Sequence, residues 1–172
     1  MDSLVRLAFY CFAASSIALA GGAICYVLAA SGWIGGRQLR LAPAGGPPVP
    51  AETGQIGESL GRFATMLAWF ALAFQGLSIA LRSIAAGRLP ISNMYEFSTT
   101  FIFLVLLVYL IFERWYGVRQ VGVVVLPVAV GMAVYVWSLP VALREVDPLI
   151  PALQNVPLMT LHVSLAILAY AT

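Results

Sequence analysis

Four stretches of this chain are too apolar, and too long, to be the core helices of a soluble domain. Leu7 to Ala30 contains no charged residue, and Phe63 to Leu81, Met94 to Phe112 and Val121 to Leu139 are nearly as apolar. About 20 apolar residues in a helix cross a ~30 Å hydrocarbon layer. In lipid every backbone N–H and C=O must be satisfied within the segment, so such runs are helices. A fifth run, Leu158 to Thr172, has the same character but falls short of a full crossing. The expected fold is therefore all-α: a polytopic transmembrane bundle of about five spans (7–30, 63–81, 94–112, 121–139 and 158–172), forming a single transmembrane domain. Because the fifth span is cut short, the 172 residues are expected to be part of a longer polypeptide.

Composition agrees. Only 9% of residues are charged and mean hydropathy is +0.96, against roughly 25% charged in soluble domains. A net charge of +2, dispersed along the chain, does not suggest nucleic acid. Arg6 before the first run resembles the start of a signal peptide, but 24 uncharged residues exceed a typical h-region, so an uncleaved span is expected. Ala14, Ala18 and Gly22 are spaced to let another helix approach closely. Cys11 and Cys25 lie about 21 Å apart along one helix, beyond disulfide reach.

Between the first two spans, residues 31–62 carry Gly35-Gly36, Gly45-Gly46 and Pro43, Pro47, Pro48 and Pro50. This is expected to be a flexible loop. In the second span, Gln75 is placed to hydrogen-bond across helices. Pro127 in the fourth predicts a kink or local unwinding, and Trp137 is expected in the interfacial aromatic belt.

Two interfacial segments carry the candidate chemistry. In Leu89-Pro90-Ile91-Ser92-Asn93-Met94-Tyr95-Glu96, proline stops the preceding helix, Asn93 can cap the next, and Glu96 can reach back as in a capping box. Pro151-Ala152-Leu153-Gln154 leads to Leu161-His162-Val163, which holds the only histidine of the chain. An ionisable group at a membrane span is a functional candidate by default. Two crossings separate the segments, so they face the same compartment. That side carries Arg6, Arg82, Arg88 and Arg144, and the opposite side Arg37, Arg40, Arg62, Arg114 and Arg119. Under the positive-inside rule the count leans toward His162 facing outward.

The Ser-Asn-hydrophobic-Tyr-Glu turn, followed some 55 residues later by Pro-Ala-Leu-Gln and His-Val, with Tyr170-Ala171 beyond, resembles the cytochrome c assembly family of CcsA/CcsB (ResC) type, of System II cytochrome c biogenesis. The resemblance runs from about Phe63 to the end and covers that family's amino-terminal portion. It implies a multi-pass protein of the plasma membrane that handles haem b transiently and presents it outside the membrane. With a ResB/Ccs1-type partner, the haem is attached covalently to the CxxCH motif of apocytochrome c. It further implies that His162 is an axial ligand to haem iron on the extracytoplasmic side, and that Asn93, Tyr95 and Glu96 form the family's signature turn. Haem propionates favour arginine, whose planar fork matches a carboxylate, so Arg144 and Arg88 on the His162 side are the candidate contacts. The family's tryptophan-rich segment and its further histidines, which follow the His-Val span, are not among these residues, and no complete catalytic site is present. The chain fits a component of a cytochrome c synthase (haem lyase) complex. Two other classes share the fold: a haem-bearing electron-transfer subunit, and a cofactor-free transporter or structural subunit.

Overall fold

A computed structural model describes residues 2–40, 52–140 and 156–171. The described residues form five α-helices and no strand: α1 (Asp2–Arg40), α2 (Glu52–Ala86), α3 (Met94–Tyr116), α4 (Gly122–Ser138) and α5 (Val156–Ala171). A single 3₁₀ turn, Arg119–Val121, leads into α4. Four segments are long and apolar enough to cross a membrane: Ser3–Ser31, Ile56–Ala86, Met94–Tyr116 and Arg119–Ser138. Leu161–Ala171 is a shorter apolar helix. Their outer faces show Ile17, Ile24, Phe70, Ile84, Val124 and Val134, as a lipid-facing surface requires.

The connector expected over residues 31–62 is shorter than the sequence suggested. α1 continues to Arg40 and α2 already begins at Glu52, leaving only 41–51 outside the described residues. All four prolines of the segment fall in that gap. A glycine inside a helix costs only about 1 kcal/mol relative to alanine, so Gly35-Gly36 does not stop α1. At ~1.5 Å per residue, 39 residues exceed the hydrocarbon thickness, so α1 extends well past the bilayer core.

α1 and α2 form an antiparallel pair in strict register. On α1 the buried stripe is Ala8, Phe12, Ser15, Leu19, Gly22, Tyr26 and Ala29. Facing it on α2 are Gly61, Ala64, Ala68, Ala71, Gln75 and Ser78. Spacings of three and four keep one face of each helix inward, and the small residues allow the backbones to approach. Two buried hydroxyls fix the register: Ser15 Oγ donates to the Ala71 carbonyl at 2.9 Å, and Ser78 Oγ donates to that of Ala8 at 2.7 Å. Gly22 sits at the next step, where an added Cβ would stand 3.4 Å from the Ala64 carbonyl oxygen and 2.9 Å from Leu126 Cδ2. Of the expected Ala14–Ala18–Gly22 face, only Gly22 lies on the buried stripe; Ala14 and Ala18 are half-buried. A pure four-residue step drifts around a 3.6-residue helix, whereas the alternating step does not.

This register yields a stability prediction. Ala68 is fully buried at the pair's centre, so Ala68→Leu should overpack it and cost roughly 1–3 kcal/mol. Ala73→Leu, on the exposed face, should be neutral. Thermal unfolding of the two variants in detergent, read by helical circular dichroism, distinguishes them.

Gln75 crosses to α3 as expected, its Nε2 donating to the Thr99 carbonyl at 2.9 Å. α4 runs unbroken through Pro127, so the expected unwinding is not seen. A proline removes one helix hydrogen bond, and neighbouring helices can absorb that loss. The Trp137 ring packs on Phe9 and Phe12 of α1, and its Nε1 donates to Ser16 Oγ at 3.2 Å. Cys11 and Cys25 are both free. α1, α3 and α5 run one way and α2 and α4 the other, so the starts of α1, α3 and α5 share one end of the bundle with the ends of α2 and α4.

Candidate functional site

At that end, the turn before α3 is built by local chemistry. Asn93 is extended (φ −130°, ψ 168°), and its Oδ1 accepts from the Glu96 backbone N–H at 2.8 Å. This satisfies one of the donors a helix start leaves open. The reciprocal contact differs from the expected capping box. Glu96 Oε2 reaches one residue further back, accepting from the Ser92 N–H at 3.0 Å and from Ser92 Oγ at 2.8 Å.

Two arginines explain the difference. The Glu96 carboxylate is fully buried and receives Arg82 Nε on Oε1 at 3.3 Å and Arg88 Nη1 on Oε2 at 3.2 Å. Arg82 comes from the last turns of α2 and Arg88 from the turn after it. Glu96 is thus the anion that joins α2, the turn and α3. Tyr95 reinforces the junction, since the Arg82 guanidinium lies 4.7 Å from its ring centre and the ring packs edge-on against Phe12 of α1 at 5.9 Å. Thr100 Oγ1 adds a bond to the Pro90 carbonyl at 3.2 Å. The three residues singled out in the sequence, Asn93, Tyr95 and Glu96, therefore act together, and what they hold is the geometry of this end.

His162 lies in the first half of α5, toward the same end. It is exposed, and it makes no hydrogen bond or ion pair among the described residues. Its ring is not consumed by packing. Arg144 and Gln154 lie outside the described residues. Arg88 is engaged with Glu96, and its side chain is only 9% exposed.

The opposite end carries a cluster that sequence reasoning does not find. Glu113, in the last turn of α3, accepts from Thr65 Oγ1 at 2.6 Å, Tyr109 OH at 2.6 Å, Tyr26 OH at 3.1 Å and Arg119 Nε at 3.3 Å. Tyr109 OH also stands 2.7 Å from Tyr26 OH, which stands 2.8 Å from Thr65 Oγ1. Gly122 opens α4 against this ring. A Cβ there would fall on the Tyr109 hydroxyl and 2.7 Å from Tyr26 Cε2, so only glycine permits the approach. In the sequence, Glu113 reads as an interface marker beside Arg114, Trp115 and Tyr116. The one signal for more is Tyr109, four residues earlier and on the same helical face; Tyr26 and Thr65 are too distant in sequence to be inferred. No group of three or more His, Cys, Asp or Glu side chains that could hold a metal ion occurs among the described residues.

The architecture is that of a polytopic α-helical membrane protein whose third helix is tied by a buried carboxylate at each end. Comparison with known proteins narrows the class. No family model matches the chain and no solved structure matches it. Curated relatives do. The chain is 40% identical over 106 residues to the cytochrome c biogenesis protein CcsA of Rippkaea orientalis, covering 59% of this chain and 31% of the relative. It is 42% identical over 94 residues to CcsA of Microcystis aeruginosa, covering 54% and 28%. With CcsA of Trichodesmium erythraeum it shares 36% over 132 residues, covering 64% and 37%. These matches support assigning the chain to the CcsA family. The matched stretch spans about a third of the length of these curated relatives.

Proposed function

We propose that this chain is the amino-terminal part of a haem-handling membrane subunit of c-type cytochrome biogenesis, which presents haem outside the membrane for attachment to the CxxCH motif of apocytochrome c. Haem is the cargo, and a ResB/Ccs1-type membrane protein is the working partner. The observation that carries the reading is the state of His162: an exposed imidazole in a membrane helix, engaged by no described residue. It lies toward the end that the Glu96 cluster makes rigid. An imidazole in an apolar helix is costly to keep unless it has a hydrogen-bonding partner or serves a ligand.

The donor chemistry fits. A neutral imidazole is a common axial ligand to haem iron, and His162 would supply one such nitrogen. A hydrogen bond to its other ring nitrogen would fix the tautomer and orientation; Gln154 or a nearby backbone carbonyl is the proposed acceptor. Arg144 keeps the propionate role read from the sequence. Arg88, held by Glu96, is better placed to secure the turn than to reach a propionate. In this reading the His162 end faces the extracytoplasmic side of the plasma membrane, and the Glu113 end faces the cytoplasm.

The test uses the full-length protein purified with its partner. His162→Ala should remove most of the bound b-type haem, measured by the Soret absorbance per protein, and added imidazole should restore it. Unchanged occupancy in the variant would refute the reading. A stable, redox-active haem pair would instead favour an electron-transfer subunit, and no Soret band in the parent protein would favour a cofactor-free one.

A further inference from the structure

The hydroxyl ring at the Glu113 end has more contacts than protons. Four contacts close it: Glu113 Oε2 to Tyr109 OH at 2.6 Å, Tyr109 OH to Tyr26 OH at 2.7 Å, Tyr26 OH to Thr65 Oγ1 at 2.8 Å, and Thr65 Oγ1 to Glu113 Oε1 at 2.6 Å. Each distance is that of an O–H···O hydrogen bond, and each such bond needs its own proton. A phenol or an alcohol supplies one, and an ionised carboxylate supplies none. With Glu113 ionised, three protons therefore serve four contacts. Tyr109 and Thr65 then donate to the carboxylate and Tyr26 donates to Thr65, so the two phenol oxygens face each other at 2.7 Å with no proton between them.

One more proton, on Glu113 Oε2, completes the ring. Glu113 donates to Tyr109, Tyr109 to Tyr26, Tyr26 to Thr65, and Thr65 to Glu113 Oε1. Every group then donates once and accepts once, an arrangement in which neighbouring bonds strengthen one another.

The surroundings oppose that proton with a single charge. Arg119, from the 3₁₀ turn, reaches Oε1 with Nε at 3.3 Å, long for a charge-assisted bond, and is 40% exposed, so it can turn to water. From α2, Glu58 and Arg62 are exposed and pair with each other at 3.2 Å. Arg114, on α3 itself, is exposed. α1 contributes the Tyr26 phenol and α4 only Gly122. A hollow of about 380 Å³, lined by Glu58, Gly117, Arg119 and Gln120, opens beside Arg119 and gives the proton an aqueous source.

We propose that this ring is a proton-binding site. Glu113 takes one proton from bulk water, its carboxylate becomes a carboxylic acid, the ring closes and Arg119 is released. The turn between α3 and α4 is tied while Glu113 is ionised and loosened when it is protonated. The proposal does not depend on the role of His162.

Infrared difference spectra of the full-length protein in lipid, recorded as the pH is lowered, test it. A carboxylic-acid C=O band should appear on acidification and be missing in Glu113→Gln, whose amide can stand in for the protonated acid. Tyr26→Phe removes the contact that lacks a proton, so Glu113 gains less by protonation. Its band should then appear at a pH lower by roughly one unit, the scale of one hydrogen bond. Hydrogen exchange at the Arg119–Val121 turn, corrected for the intrinsic pH dependence of exchange, should rise with the same midpoint in the parent protein and stay constant in Glu113→Gln. The proposal is overturned if no Glu113-dependent band appears at any pH at which the protein remains helical. It is equally overturned if Tyr26→Phe titrates at the parent's pH.

Discussion

Glu96→Leu is expected to prevent the protein from accumulating in folded form. The carboxylate is fully buried, and the two arginines that share it are 4% and 9% exposed. Removing one partner of a buried ion pair costs about 3–5 kcal/mol, because the remaining charge loses its counter-ion where water cannot replace it. Here one carboxylate serves two guanidiniums and also receives the Ser92 N–H and hydroxyl. A loss at the upper end of that range is comparable with the entire stability of many domains. Glu96→Gln keeps the shape and one acceptor oxygen, so it should be less severe but still strongly destabilising. Asn93→Ala removes only the cap and should cost about 1 kcal/mol. Folded yield by size-exclusion chromatography in detergent should therefore fall in the order Asn93→Ala, Glu96→Gln, Glu96→Leu. A Glu96→Leu variant as abundant and as stable as the parent would show that the cluster is not the anchor described.

The second large effect is expected at Glu113, and it should be smaller. Glu113→Leu removes the acceptor for Thr65, Tyr26, Tyr109 and Arg119. The hydroxyls can still bond to one another, since Tyr26 OH lies within 2.8 Å of both Tyr109 OH and Thr65 Oγ1. Arg119 is 40% exposed and can turn to water. What remains is the loss of bonds to a charged group, about 1.5–3 kcal/mol apiece at most and partly recovered. The variant should fold, with a lowered unfolding temperature. It should also protect the Tyr116–Gly122 turn less against hydrogen exchange, because the link from α3 to the 3₁₀ turn is gone. Measuring exchange at the two ends of α3 separates the clusters: Glu113→Leu should loosen only the carboxy-terminal end. Equal loosening of the Asn93 turn would contradict their independence, which the ~25 Å between the two carboxylates along the helix implies.

The parts of the fold that depend on near neighbours are legible in the sequence. Apolar length sets the number of spans, and Pro90, Asn93 and Glu96 mark the start of α3 because a cap is made by residues three apart. Gln75 can be assigned a cross-helix bond because a mid-membrane amide has few other options. The long ends of α1 and α2 are hidden when Gly and Pro are weighed together as breakers. Gly35-Gly36 lies inside α1, because glycine alone does not end a helix, whereas Gly45-Gly46 and the four prolines lie outside the described residues. The Ala14–Ala18–Gly22 face misleads because the true stripe alternates steps of three and four and includes Phe12, Leu19 and Tyr26, larger than a close-packing motif suggests. The partners of Glu96 and Glu113 are illegible for a simpler reason. Arg82 is 14 residues from Glu96 and Tyr26 is 87 residues from Glu113, and only the tertiary arrangement of the bundle brings them together.

The central claim is that His162 is a ligand to iron, and exchanging the ligand tests it more directly than deleting it. The full-length protein carrying His162→Cys should still take up haem, with the absorption and resonance Raman signature of an altered axial ligand and a shifted reduction potential, because ligand identity sets both. A spectrum and potential identical to those of the parent protein would mean that this histidine does not touch the iron.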